Sequence, residues 1–367
     1  MVYNRRILFS KGFPAWDTPE GTLGSFDQES PITPIQLVAS ELKEPGSTIT
    51  YAVTTGSLPT GLTMTSAGLI SGTMTGYEAI TQIDFSVTAT DDEGETASRD
   101  FSITAVPIYQ ITYLSVAGGG AGAGTGLNGG AGGAGGYLTG LINPNVGTVY
   151  SISIGTGGTN SAGPNNGSPG GNTTITASGM SDIISIGGGG GAQDSSASID
   201  GGSGGGGGVT VGGTGSQGFD GGSGIGSSHG GGGGGAGESG ADATSSNGGK
   251  GGDGLESSIT GTPTYLAGGG GGGAAGTGGG SGGLGGGGSR TNPYTGAADN
   301  GDPNTGGGGG GGFYNGTHWR GGNGGSGVVI FRIKTDFYSG TTTGSPTVTT
   351  DGINTILTYT GSGTYTA

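Results

Sequence analysis

The side chains able to do chemistry are few and scattered. The chain has two histidines, His229 and His318, and no cysteine, which removes disulfides and thiolate metal sites and leaves the redox compartment unmarked. His229 stands inside a glycine tract, a poor setting for a Ser-His-Asp site. Matches to G-x-S-x-G, such as Gly201 to Gly205, are inevitable where glycine and serine dominate, and none follows a strand and opens a helix. G-x-G-x-x-G fails for want of a βαβ context. GGKGGDGL, Gly248 to Leu255, fits one calcium-binding nonapeptide repeat, but that architecture needs stacked copies. The dense acidic group Asp91, Asp92, Glu93 and Glu95 in DDEGET reads as a solvated turn between strands, with calcium as the lesser alternative. The expectation is a chain that is not an enzyme, with no catalytic residue, no metal site and no cofactor.

Recognition chemistry is better represented. FYNGTHWRGGN, Phe313 to Asn323, gathers Phe313, Tyr314, His318, Trp319 and Arg320, and SRTNPYTGAADNGDPNT, Ser289 to Thr305, adds Tyr294. Aromatic faces beside polar donors suit a sugar or an exposed peptide, because stacking and directional hydrogen bonds act together. The same aromatics could instead cap a packed end or meet a partner chain, and both readings stand at this level.

The elements that position these residues must be unusual. With 102 glycines in 367 residues, 10% charged and 29% hydrophobic, an ordinary apolar core cannot run the length of the chain. Ordering each backbone unit costs about 1–2 kcal/mol, and glycine buries no side chain in return. Collagen is excluded, since Gly-X-Y periodicity is missing and there are only 14 prolines. A net charge of −15 argues against nucleic acid and anionic membrane as partners. No segment reaches about 18 apolar residues, so no membrane insertion is expected. MVYNRRILFSKGFPAW lacks the apolar stretch of a secretory leader, which suits a particle assembled in a cytoplasm and released by lysis.

Glycine content changes near residue 108. The part before it reads as short strands of alternating Val, Ile, Thr and Phe separated by turn signals, which points to a β-sandwich. Leu58, Pro59, Gly61 and Leu62, then Gly68, Leu69, Ile70, Ser71, Gly72 and Thr73, come close to the pattern LPxGLxxxxxGxISGT. With the lead-in PAWDTPEGTLGSF, Pro14 to Phe26, this stretch resembles the immunoglobulin-like, cadherin-related modules of bacterial surface and phage structural proteins, which act mainly as spacers.

The second part opens with ITYLSVAGGGAGAG and ends with GGSGVVIFRIKT, with pure glycine runs between, among them Gly187 to Gly191, Gly268 to Gly273 and Gly306 to Gly312. The strand entering glycine at Tyr113 to Gly120, the Tyr150 to Gly158 strand, GLESSITG at Gly254 to Gly261 and the exit strand Gly324 to Ile333 are similar to landmarks of the glycine-rich domain of phage tail proteins and related bacterial surface proteins. TYTGSGTYTA, Thr358 to Ala367, resembles a segment that commonly precedes the opening strand, and is expected to pair beside that strand or mark a junction to another chain.

A polyglycine run can adopt the extended left-handed helix with three residues per turn and about 3.1 Å rise, which makes no internal hydrogen bonds. Such helices pack side by side where facing positions lack Cβ, each amide bonding a neighbour. One hydrogen bond yields about 0.5–1.5 kcal/mol net, so a bundle must form cooperatively.

The expected fold class is all-β: an N-terminal arm 1–13, an Ig-like β-sandwich 14–107, a glycine-rich domain of polyglycine II helices framed by β-strands 108–335, and a C-terminal β-strand segment 336–367. The resemblances imply a phage virion appendage, a tail fibre or surface projection, extracellular on the virion. It would be a homo-oligomer, such as a trimer, joined to other virion proteins. Tyr294, Phe313, Tyr314, His318, Trp319 and Arg320 would contact a host glycan or outer-membrane protein. The alternative is a bacterial matrix or surface protein that assembles into filaments. An ice-binding role would need a flat repeat of Thr or Ala, which is not visible.

Overall fold

The computed structural model describes residues 12–41, 48–124, 129–160, 165–226, 229–274, 278–290, 296–314 and 318–367. The chain is all-β and divides into two compact units, Met1–Tyr109 and Gln110–Ala367. Most of the expected arm 1–13 lies outside the described residues.

In the first unit the strands are β1 (Ala15–Trp16), β2 (Gly21–Asp27), β3 (Ile35–Gln36), β4 (Ala39–Ser40), β5 (Thr50–Gly56), β6 (Leu62–Met64), β7 (Leu69–Gly72), β8 (Thr81–Thr90) and β9 (Thr96–Val106). They form a four-stranded sheet β2-β9-β8-β5, a three-stranded sheet β3-β7-β6 and the pair β1-β4. Period-two alternation sends Phe85, Val87 and Ala89 of β8 and Phe101, Ile103 and Ala105 of β9 into one core with Leu37, Ile70 and Met74. Trp16 packs edge-on to Phe101 at 5.3 Å, its indole N–H donating to the Ala97 carbonyl. The glycine pattern seen in the sequence has a steric cause. Gly72 (φ +134°) ends β7 opposite Leu62, and a Cβ on it would lie 2.3 Å from the carbonyl oxygen of Gly61 (φ +91°), the residue just before β6.

The second unit carries β10 (Ile111–Val116), β11 (Tyr137–Ile142), β12 (Val149–Ser153), β13 (Thr173–Thr176), β14 (Ile183–Ser185), β15 (Leu255–Ser257), β16 (Thr264–Leu266), β17 (Phe313–Tyr314), β18 (His318–Trp319), β19 (Val328–Lys334), β20 (Thr342–Thr343), β21 (Thr347–Asp351), β22 (Asn354–Tyr359) and β23 (Gly363–Thr366). Two five-stranded antiparallel sheets, β11-β10-β19-β22-β21 and β14-β13-β12-β23-β20, frame it. Aromatic side chains join them: Phe331 of β19 lies 6.5 Å from Tyr150 of β12 and 6.2 Å from Tyr365 of β23. The C-terminal segment 336–367 supplies strands to both framing sheets of this unit. It does not lie beside the opening strand β10, whose neighbours are β11 and β19; β22 pairs with the exit strand β19, and β23 with β12. Both placements follow from burying Tyr359 and Tyr365, each fully inaccessible.

From these sheets the glycine segments run out and back. The segment 117–124 shows the packing rule. Gly118, Ala121 and Gly124 donate to the carbonyls of Gly171, Ser168 and Asn165; Gly119 and Gly122 to Gly325 and Gly322; Gly120 and Ala123 to Gly133 and Gly130. Every third amide thus meets the same returning neighbour, as three residues per turn require. Its carbonyls accept from three outgoing segments, through Gly158, through Gly188 and Gly191, and through Gly309 and Gly312. Segment 129–136 repeats the arrangement with other partners, donating to 306–312, to 186–192 and to 231–234. Close approach explains the glycine: a Cβ on Gly132 would stand 2.0 Å from the Gly120 carbonyl oxygen. A small apolar core of Leu114, Val116, Ala134, Leu266, Val328, Ile330 and Ile356 closes the end nearest the sheets.

Candidate functional site

The candidate site lies at the end of the bundle remote from the sheets. Outgoing 117–124 and 306–312 come together there, Gly312 donating to Ala123, and β17 follows directly. Isolated bridges tie Gly129 to Gln193, and His229 to both Ile225 and Ala274. His229 is buried in this backbone packing.

The two segments nominated from the sequence meet here. Within Ser289 to Thr305, residues 298–302 are bundle rather than loop: Asp299 donates to Ser289, Gly310 donates to Asp299, and Gly301 donates to Asn323. The Ala298 amide donates to the Arg320 carbonyl at 2.9 Å, and the Asn323 amide to Asn300 Oδ1 at 2.8 Å. Segments that are neighbours in this packing thereby present their ends side by side.

Of the six nominated residues, Tyr294 lies outside the described residues. Tyr314 pairs with His318, and Phe313 with Trp319, in the β17–β18 ladder. Arg320 follows that ladder and is exposed. Phe313 is corrected: it is fully buried, so its ring is packing rather than contact surface. A buried cation packs against it. Arg290, 2% exposed, lays its guanidinium 4.7 Å from the Phe313 ring centroid and donates from Nη1 to the Gly296 carbonyl at 2.8 Å. Its Nε and Nη2 find no partner among the described residues. Burial pulls the guanidinium's pKa down, and the negative charge of Asp299 opposes that pull. A desolvated cation over an aromatic face gains about 2 kcal/mol or more from the ring quadrupole. The available signal was a lone arginine ending a glycine run, GGGGSR.

The acidic turn is structural. Asp91 is buried and its Oδ1 accepts the amides of Glu93 and Glu95 at 3.0 and 2.8 Å, an Asx-type arrangement that organises the turn between β8 and β9. Among the described residues no cluster of three or more acidic or histidine side chains is placed to hold a metal ion.

Comparison with known proteins bears on both units. A family model described as "Glycine-rich domain" matches residues 96–334, and one described as "Putative Ig domain" matches residues 20–106. No curated protein matches. Among solved structures, cadherin domains 1–4 of protocadherin gamma B7 align at 13% identity and a TM-score of 0.29, covering 47% of this chain and 48% of that one. An endo-fucoidan hydrolase of glycoside hydrolase family 107 aligns at 11% identity and a TM-score of 0.23, covering 47% and 28%. The chain thus spans less than half the length of the solved proteins it matches, and similarity at this level carries no functional argument. An Ig-like module with a glycine-rich domain is the build of a surface or structural protein. Since the first model covers well over half of its length, the chain belongs to the glycine-rich domain family.

Proposed function

We propose that the protein is a bacteriophage virion appendage, a tail fibre or similar projection, whose glycine-rich unit stiffly presents its remote loops to a host-surface glycan or outer-membrane protein. The Ig-like unit serves as a spacer, the chain works as a homo-oligomer joined to other virion proteins, and it acts by binding without catalysis. The observation that carries this reading is the fixing of the two candidate segments to each other, through Ala298 to Arg320 and through Arg290 over Phe313, at the end of a bundle held by backbone hydrogen bonds. Loops on such a rigid base lose little entropy on binding.

The test is binding of fluorescently labelled protein to a panel of bacterial strains, with a Tyr314→Ala, Trp319→Ala variant alongside. Strain-selective binding that the variant loses supports attachment through this end. The unpaired outer edge of β21, with Thr347, Val348, Thr349 and Thr350 exposed, favours the filament reading in second place. Absence of binding to every strain, with concentration-dependent fibres in sedimentation, would replace the first reading by the second.

A further inference from the structure

We propose that the outward face of the β2-β9-β8-β5 sheet is a separate carbohydrate site, accepting a neutral or amine-bearing sugar unit that donates hydrogen bonds. A groove of about 480 Å³ crosses this face, a volume within the usual range of ligand pockets.

The register of the sheet creates the groove. Gly21, Phe101, Phe85 and Gly56 form one row across all four strands. The two phenyl side chains turn inward and are almost wholly buried, and glycine occupies both ends, so nothing rises from this row on the outer side. The rows on either side do rise. Asp84 stands opposite Ser102 on one, and Thr55, Ser86 and Asp100 align on the other. The result is a trough with a backbone floor and polar walls, with Glu20 and Gln82 also lining it.

The polar atoms are set for hydroxyl recognition. Ser86 Oγ donates to Asp100 Oδ1 at 2.7 Å and Gln82 Nε2 to Asp84 Oδ1 at 2.8 Å, which orients both carboxylates and leaves each a second oxygen to accept. Ser102 lines the groove and is 7% exposed, and a serine hydroxyl can both donate to and accept from a ligand oxygen. A sugar hydroxyl both donates and accepts, so adjacent ring hydroxyls can donate to Asp84 or Asp100 while accepting from Ser102. The lining includes three carboxylates and no Lys, Arg or His, which repels acidic sugars and favours amine-bearing ones. With no exposed ring in the trough, selection rests on hydrogen bonds rather than stacking.

The site lies in a different unit from the bundle loops, so its success or failure is independent of the function proposed above. The full chain is titrated by calorimetry with a glucose tetramer, a glucosamine tetramer and a galacturonic acid tetramer. Variants are Asp100→Ala, Asp100→Asn, Ser102→Ala and, as a remote control, Trp319→Ala, each shown by melting to be folded. Saturable binding of the neutral or amino tetramer is expected, weakened about tenfold or more by Asp100→Ala and less by Ser102→Ala, with Trp319→Ala unchanged. Should Asp100→Ala fail to fold, Asp100→Asn carries the comparison. No saturation by either tetramer up to about 10 mM, preference for the acidic tetramer, or undiminished affinity in folded Asp100 variants would overturn the assignment.

Discussion

The Arg290 guanidinium lies over the Phe313 ring at 4.7 Å, both side chains buried, and through Nη1 it also holds the Gly296 carbonyl. One side chain thereby touches both Gly296 and Phe313 at the end proposed to meet the host. A buried cation whose remaining donors lack partners among the described residues is kept at a cost, offset by the aromatic face and by Asp299.

The two members of this pair should respond differently to truncation. Phe313→Ala empties a fully buried position and should lower stability by about 3–5 kcal/mol. Arg290→Met removes a desolvated charge while keeping apolar volume, and should be neutral or stabilising by about 1–4 kcal/mol. Thermal or denaturant melting reads both; a larger loss for Arg290→Met than for Phe313→Ala would show that the cation, not the ring, holds this end together.

Close approach, not flexibility, is the reason for glycine in the bundle. A Cβ at Gly309 would stand 2.2 Å from the Gly322 carbonyl oxygen, whereas at Gly361 it would meet nothing within 4 Å. Gly309→Val should cut the melting temperature sharply or leave insoluble protein. Gly361→Ala should change stability by no more than about 0.5 kcal/mol. Equal melting of the two variants would refute backbone-to-backbone packing.

The C-terminal strands should be indispensable to the second unit. Tyr365 is fully buried and stacks on Tyr150 at 6.5 Å while meeting Phe331 edge-on. Tyr365→Ala should cost about 3–5 kcal/mol, as for other large buried aromatics. A loss under about 1 kcal/mol, within the range of surface substitutions and small defects, would mean that β23 is only an appendix.

Acid should loosen the bundle near Asp253. Partial burial raises the pKa of this carboxyl, but the Leu284 amide at 2.9 Å and the Lys250 ammonium at 2.9 Å outweigh it, so the folded pKa lies below the ordinary 3.8. A depressed carboxylate pKa stabilises the fold at pH values above the unfolded pKa, and that contribution disappears as pH falls through the folded one. Asp253→Asn should therefore lower stability at neutral pH and narrow its difference from the parent below pH 3.8, as melting across an acid series would record. A constant difference at all pH values would assign the effect to shape instead of charge.

How much was legible depended on how local each signal is. The alternation in IDFSVTAT and ASRDFSITAV fixed which faces of β8 and β9 are inward, because period two is a property of the strand itself. Gly61 and Gly72 marked the β6–β7 hairpin for a steric reason contained in a few residues. Glycine runs pointed to extended helices that satisfy their amides on neighbours, since no other packed state suits so many residues without Cβ. The aromatic cluster at Phe313 to Trp319 was visible as composition but ambiguous in role.

What only the tertiary structure decided is who neighbours whom. Every glycine offers the same amide and carbonyl, so the sequence cannot say that Gly120 donates to Gly133 while Gly119 donates to Gly325; sheet register and turn positions choose. The same is true of the return of β22 and β23 to the framing sheets, and of Phe313, whose ring is met by an arginine arriving from a different segment. Local chemistry was written in the order of residues, whereas identical backbone groups can be sorted into partners only by the geometry that brings them together.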